Sequence, residues 1–154
     1  MWPEDLDGVL RIEAASFTEP WTREMFLAEM IQGVSLALVV CSEEDEILGY
    51  ILGSVAGGDF HISNIAVDPR VRRQGVGRHL LLVALDQASR RGAQTASLEV
   101  RVSNLTAQTL YQHVGFTIVG RRRRYYTAPV EDAVIMVLPE LKTAVGTRQE
   151  GEKS

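Results

Sequence analysis

Glu99 stands in the middle of Ala96-Ser97-Leu98-Glu99-Val100-Arg101, where strict alternation sends Leu98 and Val100 to one face of a strand and Ser97, Glu99 and Arg101 to the other. An acid in that position is either a solvent-facing or arginine-paired carboxylate or a general base aimed into a cleft. Tyr111 follows Ala107 by four residues, beside Leu110. It is either a half-buried ring that fixes a short helix to a sheet or a phenol able to protonate a leaving thiolate, whose conjugate acid titrates near about 8.5. Asn104 opens the same helix and is a good N-cap in its own right. His61, His79 and His113 share no spacing, and a single cysteine, Cys41, permits neither an internal disulfide nor a cysteine-based zinc cluster, so no metal is expected. Cys41 reads as a buried structural thiol.

A second chemistry is written in Asp68-Pro69-Arg70-Val71-Arg72-Arg73-Gln74-Gly75-Val76-Gly77, a glycine-bearing loop running into a helix. Unpaired N–H groups at a helix N-terminus carry partial positive charge, and glycines let them approach a diphosphate without a Cβ in the way. Arg72, Arg73 and Arg78 can add charge. The loop lacks the Gly-Lys-Ser/Thr ending of a nucleotide triphosphate site, and Arg78 stands where a dinucleotide fingerprint continues, so neither of those ligands is favoured.

The elements that must position these residues follow from periodicity. Leu6, Val9, Leu10, Glu13 and Phe17, with Asp5 ahead of them, predict a first helix that Pro20 cannot continue. Thr22 is placed to cap a second, with Gly33 as its stop. Ser35 to Cys41 and Ile47 to Val55 predict a hairpin about Glu43-Glu44-Asp45-Glu46, and Phe60 to Val67 a third strand of an antiparallel meander. Gly75 to Arg91 is a long amphipathic helix, with Arg90 and Arg91 at its negative end and Gly92 beyond it. Gln94 to Val100 is a strand, Asn104 to His113 a short helix closed by Gly115, and Phe116 to Tyr125 and Ala133 to Leu138 a final strand pair. The predicted order is α-α-β-β-β-α-β-α-β-β. The fold class is therefore α+β, a mostly antiparallel twisted sheet flanked by helices.

Length and a 45% hydrophobic content suit one domain over residues 1–141, with a polar, loose tail from Lys142 to Ser154. A formal net charge of −4 disfavours a surface built to grip nucleic acid. The longest uncharged apolar stretch, Ser35 to Cys41, is far short of the roughly 20 residues a membrane span needs, and Met1 to Asp5 does not open a signal peptide. A cytoplasmic protein without membrane contact is expected. Arg121 to Arg124 reads as a strand whose alternate arginines meet solvent or acidic neighbours, or as a guide for an acidic substrate or ribosomal RNA.

Asn64-Ile65-Ala66-Val67-Asp68-Pro69, Arg72 to Gly77, Leu98-Glu99-Val100-Arg101-x-Ser103-Asn104 and Ala107-x-x-Leu110-Tyr111-x-x-x-Gly115-Phe116 together resemble the GNAT acetyltransferases. Pro20-Trp21, the Leu98 to Arg101 strand and Tyr125-Tyr126 followed by Glu131-Asp132-Ala133 are similar to the RimI group within that family, bacterial N-alpha-acetyltransferases of a ribosomal protein. The resemblance covers about residues 4 to 139. It implies the GNAT fold and acetyl-CoA as cosubstrate, lying in a gap between two splayed central strands. The pantetheine would pair with the backbone of Ile65, Ala66 and Val67, the diphosphate would meet Arg72, Arg73, Gln74, Gly75, Val76, Gly77 and Arg78, and Asn104 would touch the coenzyme. It further implies Glu99 as proton acceptor through a water, Tyr111 as proton donor, Tyr125 and Tyr126 beside the acceptor, and a backbone N–H near Val67 for the oxyanion. The family begins with a strand before its first helix, whereas only Met1-Trp2-Pro3 precedes it here, which implies either a missing edge strand or a later start.

Direct transfer needs an unprotonated amine. An α-amine titrates near about 7.7–8.0 and lysine near about 10.4, a difference of about 3.5 kcal/mol in deprotonation cost, so a protein N-terminus is the easier acceptor. The N-terminal alanine of a small-subunit ribosomal protein is the acceptor the resemblance implies. A small-amine acetyltransferase acting on polyamines or aminoglycosides, and a non-catalytic coenzyme-binding or partner-docking module, are the competing readings.

Overall fold

The computed structural model describes residues 1–141, and the tail expected from Lys142 lies outside them. The elements are α1 (Leu6–Ser16), α2 (Arg23–Met30), β1 (Ser35–Cys41), β2 (Ile47–Ala56), β3 (Asp59–Val67), α3 (Val76–Arg90), β4 (Thr95–Arg101), α4 (Leu105–Val114), β5 (Thr117–Thr127) and β6 (Val130–Leu138). Short 3-10 turns at Pro3–Asp5 and Pro69–Val71 precede α1 and α3. The strands form one mixed sheet in the order β1-β2-β3-β4-β6-β5. By their contacts the described residues group into two compact units, Met1–Ser54 with Ile62–Ala84, and Val55–His61 with residues 85–141.

In the first unit, α1 turns Leu6, Val9 and Ile12 fully inward against Phe26, Ile47, Tyr50, Leu52 and Ala66. Gly8 permits the close approach: a Cβ there would stand 2.6 Å from Cγ1 of Ile47. The Asp5 side chain does not cap α1 as expected; it accepts from the Trp2 backbone N–H at 2.7 Å and closes the turn before the helix. Helix α1 ends at Ser16, before Pro20, and Glu13 on its inner face accepts from the Trp21 N–H at 2.8 Å. Thr22 caps α2 as predicted, accepting from Met25 N at 3.2 Å. The helix stops at Met30, and Gly33 falls in the turn beyond it. β1 and β2 pair antiparallel from Ser35↔Ser54, with a register shift between Val40 and Cys41. That shift, at the last residue of an outer strand, leaves Cys41 exposed, contrary to the buried thiol expected of it. No strand precedes α1 among the described residues, and the N-terminal ammonium donates to the Ala37 carbonyl at 3.0 Å.

In the second unit, the first three residues of β3 pair parallel with β4, Asp59↔Thr95, Phe60↔Ala96 and His61↔Ser97. The simple meander expected for β1 to β3 is thus completed by a parallel pairing to β4, which alternation alone could not reveal. β4 runs antiparallel to β6, with Glu99 opposite Ile135. Helix α4 is capped by Asn104, whose side chain accepts from Ala107 N at 3.2 Å, and closed by Gly115 at φ +119°. That left-handed conformation is the one glycine adopts without a Cβ penalty. β5 pairs with β6 irregularly between Arg122 and Tyr126, where Arg124 takes φ +50°. The alternation expected of the arginine run therefore breaks within it.

Candidate active site

The loop between β3 and α3 is fixed from its first residue. Asp68 is buried and accepts from the Arg70 N–H at 2.9 Å, from the Arg70 guanidinium and from Arg11 Nη1 at 3.0 Å. Those Arg70 hydrogen bonds, followed by the help of Arg11, hold its carboxyl well below the usual carboxylate range. Arg70 also pairs with Glu46. The chain then turns through left-handed conformations at Arg73, φ +65°, and Gly75, φ +80°, and enters α3 at Val76. The first full helical hydrogen bond of this turn runs from His79 N to the Gly75 carbonyl at 3.0 Å, so the N–H groups ahead of it face outward, as at any helix start. Arg72, Arg73, Gln74, Gly75 and Arg78 are exposed, with Val76 and Gly77 half-buried. A Cβ on Gly75 would meet nothing within 4 Å, so the space beside its backbone is open. Open space, outward N–H groups and three arginines fit a diphosphate. Arg72 donates from Nε to the Val67 carbonyl at 3.2 Å and from Nη2 to Ser16 Oγ at 3.1 Å. Ile65 and Val67 are half-buried, and Ala66 between them is buried.

Glu99, in the second unit, lies on the polar face of β4 as the alternation predicted, with its side chain 13% exposed. One oxygen, Oε2, is 3.2 Å from His61 Nε2; the other, Oε1, receives Arg122 Nε at 3.4 Å. Behind His61, Nδ1 lies 3.0 Å from Ser97 Oγ, and Ser97 donates to Asp59 Oδ2 at 2.7 Å. Thr95 donates to the other oxygen of Asp59, also at 2.7 Å. The parallel register of β3 and β4 assembles this row by setting His61 beside Ser97.

Tyr111 is buried on α4, its ring 5.8 Å from that of Phe116, and burial, followed by the nearby Tyr126, raises its hydroxyl above the phenol range. Asn104 spends its side-chain oxygen on the helix cap while remaining exposed. Tyr126 is half-buried, packed edge-on to Tyr125 at 5.0 Å, and the Arg101 guanidinium lies 4.2 Å above its ring. Burial, with Tyr125 next, pushes Tyr126 up to about 12. Arg101 also pairs with Glu131 at 3.1 Å, and Glu131, which accepts from Ser103 N at 2.7 Å, is lowered first by Ser103 and then by Arg101. Tyr125 is half exposed.

The candidates from Ile65 to Arg78 thus belong to the first unit, and Glu99, Asn104, Tyr111, Tyr125 and Tyr126 to the second. In the sequence, Asp59, His61 and Ser97 signal a joint role only as polar residues alternating with Phe60, Ile62, Ala96 and Leu98 on two strands. Glu13, an acid on the apolar stripe of a helix, is buried and accepts from Asn64 Nδ2 at 2.8 Å and from the Tyr50 hydroxyl.

The chain thus carries a strand-turn-helix loop with three arginines in its first unit, and a carboxylate on the polar face of β4 and a buried phenol on α4 in its second. The chain matches the acetyltransferase (GNAT) family over residues 6–116, and it belongs to that family. It has the GNAT fold and is an N-acetyltransferase, an enzyme class whose acyl donor is acetyl-CoA. A relative from Bacillus subtilis (strain 168), provisionally named a ribosomal protein bS18-alanine N-acetyltransferase, is 40% identical over 133 residues, 86% of this chain and 88% of its own length. The ribosomal protein bS18-alanine N-acetyltransferase of Escherichia coli (strain K12) is 36% identical over 137 residues, 88% of this chain and 91% of its own. The crystal structure of the ribosomal-protein-S18-alanine N-acetyltransferase from Escherichia coli superposes with a TM-score of 0.83 at 34% identity, covering 91% of this chain and 90% of that one. No described helix is long and apolar enough to cross a membrane.

Proposed function

We propose that the protein transfers the acetyl group of acetyl-CoA to the N-terminal α-amine of a protein, and that its acceptor is the N-terminal alanine of ribosomal protein bS18. Similarity along most of the chain to enzymes named for that reaction supports the acceptor. The single observation that carries the chemistry is Glu99, a largely buried carboxylate on the polar face of β4 whose two oxygens meet His61 and Arg122.

Acetyl-CoA supplies the activated acyl group. The backbone of Ile65, Ala66 and Val67 and the segment from Arg72 to Arg78 hold the coenzyme, with Asn104 as a further contact. Glu99 accepts the proton of the attacking amine. Tyr111, kept protonated by burial, donates one to the departing thiolate. Tyr125 and Tyr126 flank the acceptor. No residue of the chain needs to be acylated, and the exposed Cys41 at the end of β1 has no part in the reaction.

The test follows thiol release with three acceptors: a peptide beginning with alanine, the same peptide N-terminally blocked and carrying an internal lysine, and spermidine. Turnover of the free-N-terminus peptide alone, with a loss of about 10²–10⁴-fold in Glu99→Gln, is the expected result. Preference for spermidine or for the blocked peptide overturns the acceptor assignment. An undiminished Glu99→Gln rate overturns the proton acceptor.

A further inference from the structure

The hydrogens of the row Glu99, His61, Ser97, Asp59 are ordered from its Asp59 end. Asp59 is a carboxylate that accepts twice, from Thr95 Oγ1 and from Ser97 Oγ, each at 2.7 Å. Ser97 has a single hydroxyl hydrogen, and it points at Asp59. What Ser97 Oγ offers His61 is therefore a lone pair, and at 3.0 Å His61 Nδ1 must be the donor. With Nδ1 protonated, a neutral His61 presents a bare lone pair at Nε2, 3.2 Å from Glu99 Oε2. Two acceptors then face one another with room for one proton between them.

We infer that His61 is a second proton-accepting residue of the acetyl transfer: Asp59 and Ser97 position it and lock its tautomer so that His61 Nε2 and Glu99 Oε2 together receive the amine proton. The inference rests on the assignment of Glu99 as proton acceptor. An isolated carboxylate titrates near about 4.3 and is a poor match for an α-ammonium near about 7.7–8.0. Facing an imidazole nitrogen at 3.2 Å, the Glu99 carboxylate shares an incoming proton with the ring, so that the proton belongs to the pair. As the amine nitrogen bonds to the acyl carbon, its proton enters the Oε2–Nε2 space, and the carbon–sulfur bond breaks with protonation of the thiolate by Tyr111. His61 is 42% exposed in its side chain against 13% for Glu99, so the proton leaves to water from the imidazole side. The charged and titratable groups facing the pair are Asp59 through Ser97, Arg122 at Glu99 Oε1, and Tyr126.

The experiment measures kcat and kcat/KM against pH with one alanine-starting peptide for wild type, His61→Gln, Asp59→Asn and Glu99→Gln. The acceptor's own titration is common to all four. His61→Gln is expected to move the acidic limb down by about one pH unit and to lower the plateau kcat about tenfold. Asp59→Asn is expected to move the limb the same way by less. A limb unmoved in His61→Gln, with only the plateau reduced, overturns the inference while leaving Glu99 in place. A Glu99→Gln enzyme at wild-type rate overturns the underlying assignment instead. Nitrogen-15 spectra of the imidazole in the wild-type protein supply a readout free of activity: protonation at Nδ1 is expected, and a neutral ring protonated at Nε2 would sink the proposal.

Discussion

Burial raises the Tyr111 hydroxyl above the ordinary phenol range, and Tyr126 adds to it, so the group stays protonated throughout the range in which an α-amine is free. Tyr111→Phe keeps the ring against Phe116 and removes only the hydroxyl. A fall of about 10²–10⁴-fold in kcat with the thermal midpoint nearly unchanged is expected, as steady-state rates and calorimetry of the purified variant would record. Asp68 shows the opposite shift. Its folded-state pKa lies below the unfolded value of about 3.9, so its contribution is complete above that value and is lost as pH falls toward the folded one. Asp68→Asn is therefore expected to cost about 2 kcal/mol near pH 7, a difference that shrinks as the medium is acidified below about pH 4; denaturant titrations at several pH values check it. At this scale the sequence was legible where one element sufficed. Alternation within β4 was enough to aim Glu99, and spacing within α4 was enough to cap it with Asn104. His61 was not legible, because its partners stand 36 and 38 residues away and meet it only through the parallel register of β3 and β4.

Among the elements, α1 carries a test of propensity against packing. Gly8→Ala gains about 1 kcal/mol of helix propensity, but the added Cβ would stand 2.6 Å from Cγ1 and 2.9 Å from Cβ of Ile47, itself buried. Overpacking of that kind costs about 1–3 kcal/mol, and the branch point of Ile47 cannot swing away as a side-chain tip could. Net destabilisation is expected, and a raised thermal midpoint in Gly8→Ala would refute it. Gly115→Ala is expected to destabilise more plainly, since φ +119° disfavours any side chain and the Cβ would meet Leu138 Cδ1 at 3.0 Å. The order of helices and strands was readable from hydrophobic period, turn residues and caps because those are local causes. What escaped were contacts that reset an element from outside it. The shift after Val40 turns Cys41 outward, and the Asp5 side chain goes to the Trp2 N–H instead of capping α1.

At the scale of the molecule, two elements are divided between the compact units. β3 gives Asp59–His61 to one and Ile62–Val67 to the other, and α3 divides between Ala84 and Leu85. The buried side chains of α3 divide with it, Leu80, Leu81 and Ala84 on one side of that point and Leu85 and Ala88 on the other. An isolated helix shorter than about 12–15 residues is marginal in water, so neither half of the 15-residue α3 is expected to persist once the unit holding the other half has unfolded. The same holds for β3, whose three-residue ladder with β4 is too short to stand alone. We therefore propose that residues 1–141 unfold as one domain. Both tryptophans, Trp2 and Trp21, report on the first unit, whereas far-UV circular dichroism reports on all the helices and strands. Coincident midpoints from the two signals in urea are expected. A tryptophan transition displaced from the circular-dichroism transition would show that the units melt separately, and that a shared helix and a shared strand are not sufficient to couple them.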